Sequence, residues 1–438
     1  MKKVYILFIG SLLLTMSCST DLDEVPPNIA SSDSLEDFGG VLNAAYYYQI
    51  GSNTPMAVMG DFRADNGVMD EEPYPAFDRF NSDLTVMEDQ FFLPFYRALY
   101  RSILSCNNVI ENSTDPTDVG EAKFLRGLSY FKLVQVFGDV TLILTVPDIS
   151  DIPDFDFSRQ PASEVYNDVI IPDLQAAVAA LSNDGVSSGR ASQIAAQALL
   201  GKVYMHMGNS SNAESQLGDA VNAAASAGVS LQANFADIFV NDLNSEIIFA
   251  TRKSSSIVDE YGFSEFWEWS GGLDTKALEP LDSDLIAAFD ASPGDLRRAV
   301  TIDETAMASP KFPQTDGPEF DWIEMRLADV ILLYAESLNE NGASAEMVLD
   351  LLDPIRTRAG VAPLDHTVIN TPALVRQAIQ DERRLELAFE GQRWFDLVRT
   401  GTVDAEMGEA VNPNYYVFPV PIAEILATDG VIIQNAGY

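Results

Sequence analysis

Two segments of this chain combine large aromatic side chains with amides, carboxylates and an arginine, a mixture suited to gripping a sugar. One holds Arg63, Asp65 and Asn66 with Tyr74, Phe77 and Phe80; the other holds Tyr261, Phe266, Trp267 and Trp269. A sugar ring presents an apolar face rimmed by hydroxyls. Its receptor therefore needs rigid aromatic platforms edged by hydrogen-bonding groups. On a strand Trp267 and Trp269 would point the same way, whereas on a helix they would diverge. Both segments fall in regions that read as long loops, 53–83 and 230–318, and long ordered loops usually carry function. Arg63, Asp65, Asn66, Tyr74, Phe77, Tyr261, Trp267 and Trp269 are the expected ligand-binding set. The competing reading of these aromatics is a satellite hydrophobic core.

Catalytic patterns are weaker. With 66 acidic residues, pairs of carboxylates occur at every spacing, so no glycosidase pair is identifiable. Gly185-Val186-Ser187-Ser188-Gly189 matches the serine-hydrolase elbow, but an alanine-rich helical run precedes it where that motif requires a strand. A flexible linker fits better. Only His206 and His366 are present, and neither has a second histidine or a cysteine at zinc-finger spacing. Asp65, Asn66, Asp70, Glu71 and Glu72 offer oxygen ligands but depart from EF-hand spacing, so they read as a solvated acidic loop. No catalytic residue, metal or cofactor is expected.

The formal charge of -40 disfavours nucleic acid, anionic lipid and polyanionic substrates. At 47% hydrophobic residues, the chain has ample material for a core. Residues 1–17 carry Lys2 and Lys3, an apolar run from Val4 to Leu14, and then small or polar residues up to Cys18. That run is too short to span a bilayer and reads as a secretion signal. Ser17-Cys18 looks like a lipoprotein cleavage site, with Cys18 acylated as the membrane anchor. An acidic tether, 18–30, precedes a single domain expected over 31–438. Cys106, the only other cysteine, then has no intrachain partner.

From Gln380 to Thr400, Arg383, Arg384, Arg393 and Arg399 alternate with Asp381, Glu382, Glu386, Glu390 and Asp396 and with large apolar groups. A guanidinium can bond a carboxylate at two points while stacking on an aromatic ring, so this block predicts an internal clasp. Helical periodicity runs through most of 118–225 and 320–400. Ala195, Ala198, Leu199 and Val203, then Ala213, Leu217 and Ala220, line the faces of one helical hairpin. Leu327, Val330, Ile331 and Tyr334, then Val348, Leu351 and Ile355, line a second. Such hairpins bury their faces by stacking on neighbours, as tetratricopeptide units do. Ile247–Thr251 reads as a strand, Trp322 and Trp394 as core residues in helical blocks, and the stretch beyond Asn412 as an extended tail.

Several of these blocks, taken in order, resemble the SusD/RagB family of nutrient-binding outer-membrane lipoproteins of Bacteroidota. They are K-F-L-R-G-L-S-Y-F-K-L-V-Q-V-F-G-D (123–139), Arg190–Gly208, Met325–Gly360 with L-L-Y-A-E-S and I-R-T-R-A-G, the arginine block, and F-P-V-P-I-A-E-I with Q-N-A-G-Y (418–438). The resemblance implies a mainly α fold: a tetratricopeptide-like helical-repeat scaffold with a loop-rich ligand-binding face and minor β. It also implies a non-enzymatic surface lipoprotein that passes oligosaccharides to a SusC-like TonB-dependent transporter in the outer membrane. The acidity of the chain favours a neutral glucan, for example one like laminarin. Peptide capture, as in the RagB branch, and a ligand-free scaffold that gates the transporter are the alternatives. Pro354 departs from the family run and is expected to kink its helix. Phe92 stands where several members carry a tryptophan ahead of the tyrosine at Tyr96, which weakens a platform there.

Overall fold

Helices stacked in sequence order make up most of the chain. The computed structural model describes residues 38–68, 72–146, 155–253, 281–312 and 321–438. Cys18, Tyr261, Phe266, Trp267 and Trp269 lie outside the described residues. The longer helices are α1 (Gly39–Tyr48), α2 (Leu93–Asn112), α3 (Pro116–Phe137), α4 (Ile171–Ala180), α5 (Gln193–His206), α6 (Ser210–Ala223), α7 (Ser283–Asp290), α8 (Leu327–Glu340), α9 (Ala345–Arg358), α10 (Pro372–Leu387) and α11 (Arg393–Thr400). Among the described residues, none is long and apolar enough to cross a membrane.

Local chemistry sets the helix starts. Asp115 accepts a bond from Thr117 N, and Pro116 occupies the first turn of α3, where a missing N–H costs nothing. Ser192 and Ser344 cap α5 and α9 in the same way. The apolar faces then pack in a chain: α1 on α2, α2 on α3, α3 on α4, α4 on α5, α5 on α6, α6 on α8, and α8 on both α9 and α10. The two predicted hairpins, α5/α6 and α8/α9, are therefore present and stacked on each other. At the crossing of α5 and α6 a Cβ on Gly201 would lie 2.4 Å from Leu217 Cγ, so only glycine permits that approach. Helix α9 continues through Pro354.

Strand content is small. Val140–Thr141 (β1) pairs antiparallel with Arg159–Gln160 (β2), and Ile247–Thr251 (β3) with Trp322–Arg326 (β4). Trp322 is buried as expected, but on β4 and not on a helix. The tail folds back onto the body: Phe418 N bonds Val136 O at 2.8 Å, and Asn435 Nδ2 bonds Phe137 O at 3.0 Å.

The largest departure from expectation lies in 53–83. Asn53–Ala57 and Val58–Phe62 are turns of helix buried throughout. They are pinned by backbone contact, since a Cβ on Gly60 would lie 2.2 Å from the carbonyl carbon of Gly391. Next to it, Asp61 accepts from Phe389 N at 3.0 Å, Gly391 N at 2.5 Å and Asn66 Nδ2 at 2.7 Å. A segment rich in polar and turn-forming residues is thus drawn inside, where the Asp61 carboxylate finds three fixed donors.

Candidate functional site

Arg63 shows how this interior is built. It is fully buried, donating to Phe77 O at 2.6 Å and Tyr415 O at 2.9 Å. Its guanidinium lies 4.3 Å from the Phe80 ring centre, 5.3 Å from that of Trp394 and 5.5 Å from that of Phe418. Burial lowers its pKa to about 10, still charged at neutral pH. Asp65 takes a two-point bond from Arg393, 2.7 and 2.8 Å, and an ion pair from Arg384 at 3.0 Å. Burial alone would raise its carboxyl, but the two guanidinium groups outweigh it and hold the group below its ordinary range. Asn66 is fully buried between Asp61 and Arg384.

The described half of the expected ligand set is therefore corrected. The side chains of Arg63, Asp65 and Asn66 are committed to internal partners. Phe77 is fully buried, edge-on to Phe91, and Tyr74 is buried with its hydroxyl accepting from Gln90. These five form a satellite core, not a sugar platform. Phe92 is likewise buried, against Phe77 and Phe418.

The arginine block behaves as predicted. Arg383 bonds Asp329 and Asp396; Arg399 bonds Asp396 and Glu336; Glu382 receives Arg297 and Arg356. Glu386 receives Arg326 at 2.6 Å and Arg297 at 3.0 Å, together with Arg358. Glu390 receives Arg326 at 2.7 Å and Lys311 at 2.6 Å. A cavity enclosed by Asn66, Arg383, Arg393 and Arg399 holds about 20 Å³, room for roughly one water. It does not admit a sugar.

Among the described residues, clefts of about 510 and 480 Å³ have room for a ligand, and the first lies beside a junction of the two loop regions. Gly67 pairs with Leu281 in an isolated antiparallel bridge, and Asp282 N donates to Asn66 O at 3.2 Å. The two nominated loop regions therefore touch at this point. Beside the junction, α7, α10 and the 361–371 connection wall a cleft of about 510 Å³. Leu364, Ile369 and Leu374 give it apolar surface; Arg356, Gln377 and Asp381 give it polar groups. Such a mix suits a small polyhydroxylated ligand. Sequence reasoning passed over these residues because the cleft is assembled across two helices and a connection. The one available signal was the i,i+4 spacing of Gln377 and Asp381, whose side chains bond at 2.8 Å.

The remaining sequence candidates for chemistry are inert. His206 is buried, 3.3 Å from Gln135 Nε2 and edge-on to Phe131, and burial drives its pKa well below the usual histidine range. Val186–Ser188 is a short helical turn between α4 and α5, with no strand before it. Burial pushes the Cys106 thiol up to about 12.

Comparison with known proteins adds a second line. Residues 19–205 match a family model described as starch-binding, associating with the outer membrane, and residues 300–438 match the SusD family model. SusD-like protein P2 of Formosa agariphila is 26% identical over 511 residues, covering 100% of both chains. A SusD superfamily structure from Parabacteroides distasonis superposes with a TM-score of 0.75 at 22% identity, covering 94% of this chain and 100% of that one. A laminarin-binding SusD-like protein superposes with a TM-score of 0.71 at 24% identity, covering 92% and 99%.

Proposed function

Since this chain belongs to the SusD family, we propose that it is a lipoprotein, anchored in the outer membrane through Cys18 and exposed on the cell surface, that captures oligosaccharides. It hands them to a SusC-like TonB-dependent transporter and carries out no chemistry itself. The observation that carries the reading is the Gly67–Leu281 junction beside the cleft. Leu281, which follows the segment bearing Tyr261, Trp267 and Trp269 in the chain, stands at this junction, and that supports the reading. Those aromatics would supply the stacking platform, and the amide, carboxylate and guanidinium of Gln377, Asp381 and Arg356 the hydroxyl contacts. The laminarin-binding relative and the strong acidity of the chain both favour a neutral glucan.

Calorimetry of the purified protein against laminarin, other neutral glucans and a peptide library tests this. Binding should fall between micromolar and millimolar, weak enough to permit release. Trp267→Ala and Trp269→Ala should each weaken it about tenfold or more, a loss of roughly 1–3 kcal/mol. Heat with peptides and none with glycans would overturn the sugar reading. Labelling with radioactive palmitate should be lost in Cys18→Ala; a labelled variant would remove the anchor.

A further inference from the structure

One of the two histidines, set aside at the sequence level for lack of a zinc spacing, acquires partners in three dimensions. Asp350 and Asp353 are three apart on α9 and so share one face of it. His366 returns to that face from the connection between α9 and α10. One ligand atom from each of the three groups lies within 4.8 Å of the other two. The buried acids of the protein, such as Glu382, Glu386 and Glu390, are met by guanidinium or ammonium groups. Here neither Asp350 nor Asp353 has an ion pair among the described residues, and Asp353 Oδ1 is shut off from solvent with no hydrogen-bond partner. A buried, unsatisfied carboxylate oxygen beside a second carboxylate is costly unless something positive completes it.

We propose that Asp350, Asp353 and His366 bind a divalent transition metal of the zinc class. Zinc takes histidine nitrogen and carboxylate oxygen at about 2.0–2.2 Å in a tetrahedral shell, so its ligand atoms stand about 3.3–3.6 Å from one another. Small side-chain rotations bring this trio within that span. Imidazole selects zinc-like ions over calcium and magnesium, which prefer all-oxygen shells. Three protein ligands leave a position for water, and Asp350 is exposed enough to admit it. The site has a structural consequence. His366 lies between Leu364 and Ile369, both of which wall the cleft. The metal would therefore pin the 361–371 connection to α9 and hold one side of the cleft in place. Asp365 already orders this stretch by accepting from Thr367 N and Oγ1 at 2.9 and 2.6 Å.

The test uses the full chain, stripped with EDTA and titrated with zinc chloride in the absence of sugar. One equivalent should bind saturably and raise the thermal midpoint, while equal magnesium or calcium should raise it less. Cobalt should bind with visible absorption that His366→Ala removes. His366→Ala and Asp353→Asn should each weaken zinc binding about tenfold or more. Asp350→Asn, at an exposed position that leaves folding intact, should do the same and guards against a folding defect in the other two. No saturable zinc binding, or equal affinity in His366→Ala and the parent, would overturn the proposal and assign any bound metal to the acidic surface at large. Because no glycan enters the assay, this result is independent of the sugar reading.

Discussion

Helix α8 carries two glutamates one turn apart, and each is held by an arginine through the same two-point geometry. Arg399 reaches Glu336 at 2.6 and 2.8 Å; Arg376 reaches Glu340 at 2.6 and 2.8 Å. They differ in exposure: the first pair has side chains 4% and 8% exposed, the second 43% and 30%. Matched distances with mismatched burial bring out the role of solvent, although Arg399 also holds Asp396. An exposed pair exchanges water for a partner at nearly equal free energy. A buried pair has no water to return to, so removing one member strands the other.

The sharpest way to break this comparison is at the most connected buried cation. Arg326 holds Glu246 at 2.9 Å, Glu386 at 2.6 Å and Glu390 at 2.7 Å, all buried. Arg326→Ala leaves these acids short of a partner, and the loss should exceed about 5 kcal/mol, beyond the usual cost of breaking one buried pair. Chemical denaturation, or failure to recover soluble protein, reads this out. Arg399→Ala comes next, at about 3–5 kcal/mol, because it uncovers both Glu336 and Asp396. Should either variant melt at the parental temperature, burial is not what gives these pairs their worth.

The clasp also shows what was legible in the sequence. Arginines interleaved with acids and aromatics, in a chain short of cations, already implied internal pairing, and the pairing is there. The helical hairpins were equally legible, since 3.6-residue periodicity, caps and breaks act over short distances. Arg63, Asp65 and Asn66 were misread for the converse reason. In sequence a polar loop destined for solvent looks the same as one whose charged groups are paired inside. What separates them is Gly391, Phe389, Tyr415 and Arg393, more than 300 residues away in the chain. The cleft was hidden because it is assembled across separate elements, and the Asp350–Asp353–His366 cluster because only the turn of the connection after α9 brings His366 back to that helix.

Acid sharpens the comparison further, because buried carboxylates here differ in how far their partners offset burial. Asp396 and Glu386 face guanidinium groups that outweigh their burial and hold them far below the ordinary range. Asp61 has backbone and amide donors but no ion-paired arginine, and burial raises it to about 6. A group raised in the fold takes up its proton more readily there than in the unfolded chain, so stability should rise as pH falls from about 6 towards 4. A group lowered in the fold contributes stability that is lost below about 4. Asp61, and Asp321 which burial also raises to about 6, therefore push the thermal midpoint up on mild acidification, His206 held neutral by burial pushes it down, and stronger acid brings a steep fall. A raise of about two units corresponds to roughly 2–3 kcal/mol. Relative to the parent, Asp61→Asn should lose midpoint as pH falls from about 6 towards 4 and keep the steep fall; a parent–variant difference that stays constant over that range would show that Asp61 does not titrate there.

The exposed pair sets the lower bound. Arg376→Ala removes a two-point bond whose distances match those of Arg399, yet the cost should be about 0.5 kcal/mol or less. Its pull on Glu340, whose pKa is lowered chiefly by the hydrogen bond from Arg376, is screened by the water around both side chains. Salt discriminates further. Raising ionic strength should erase the small difference between Arg376→Ala and the parent, while that between Arg399→Ala and the parent persists. Equal losses from the two substitutions at low salt would mean that hydrogen-bond geometry, not desolvation, fixes the worth of an ion pair on this helix.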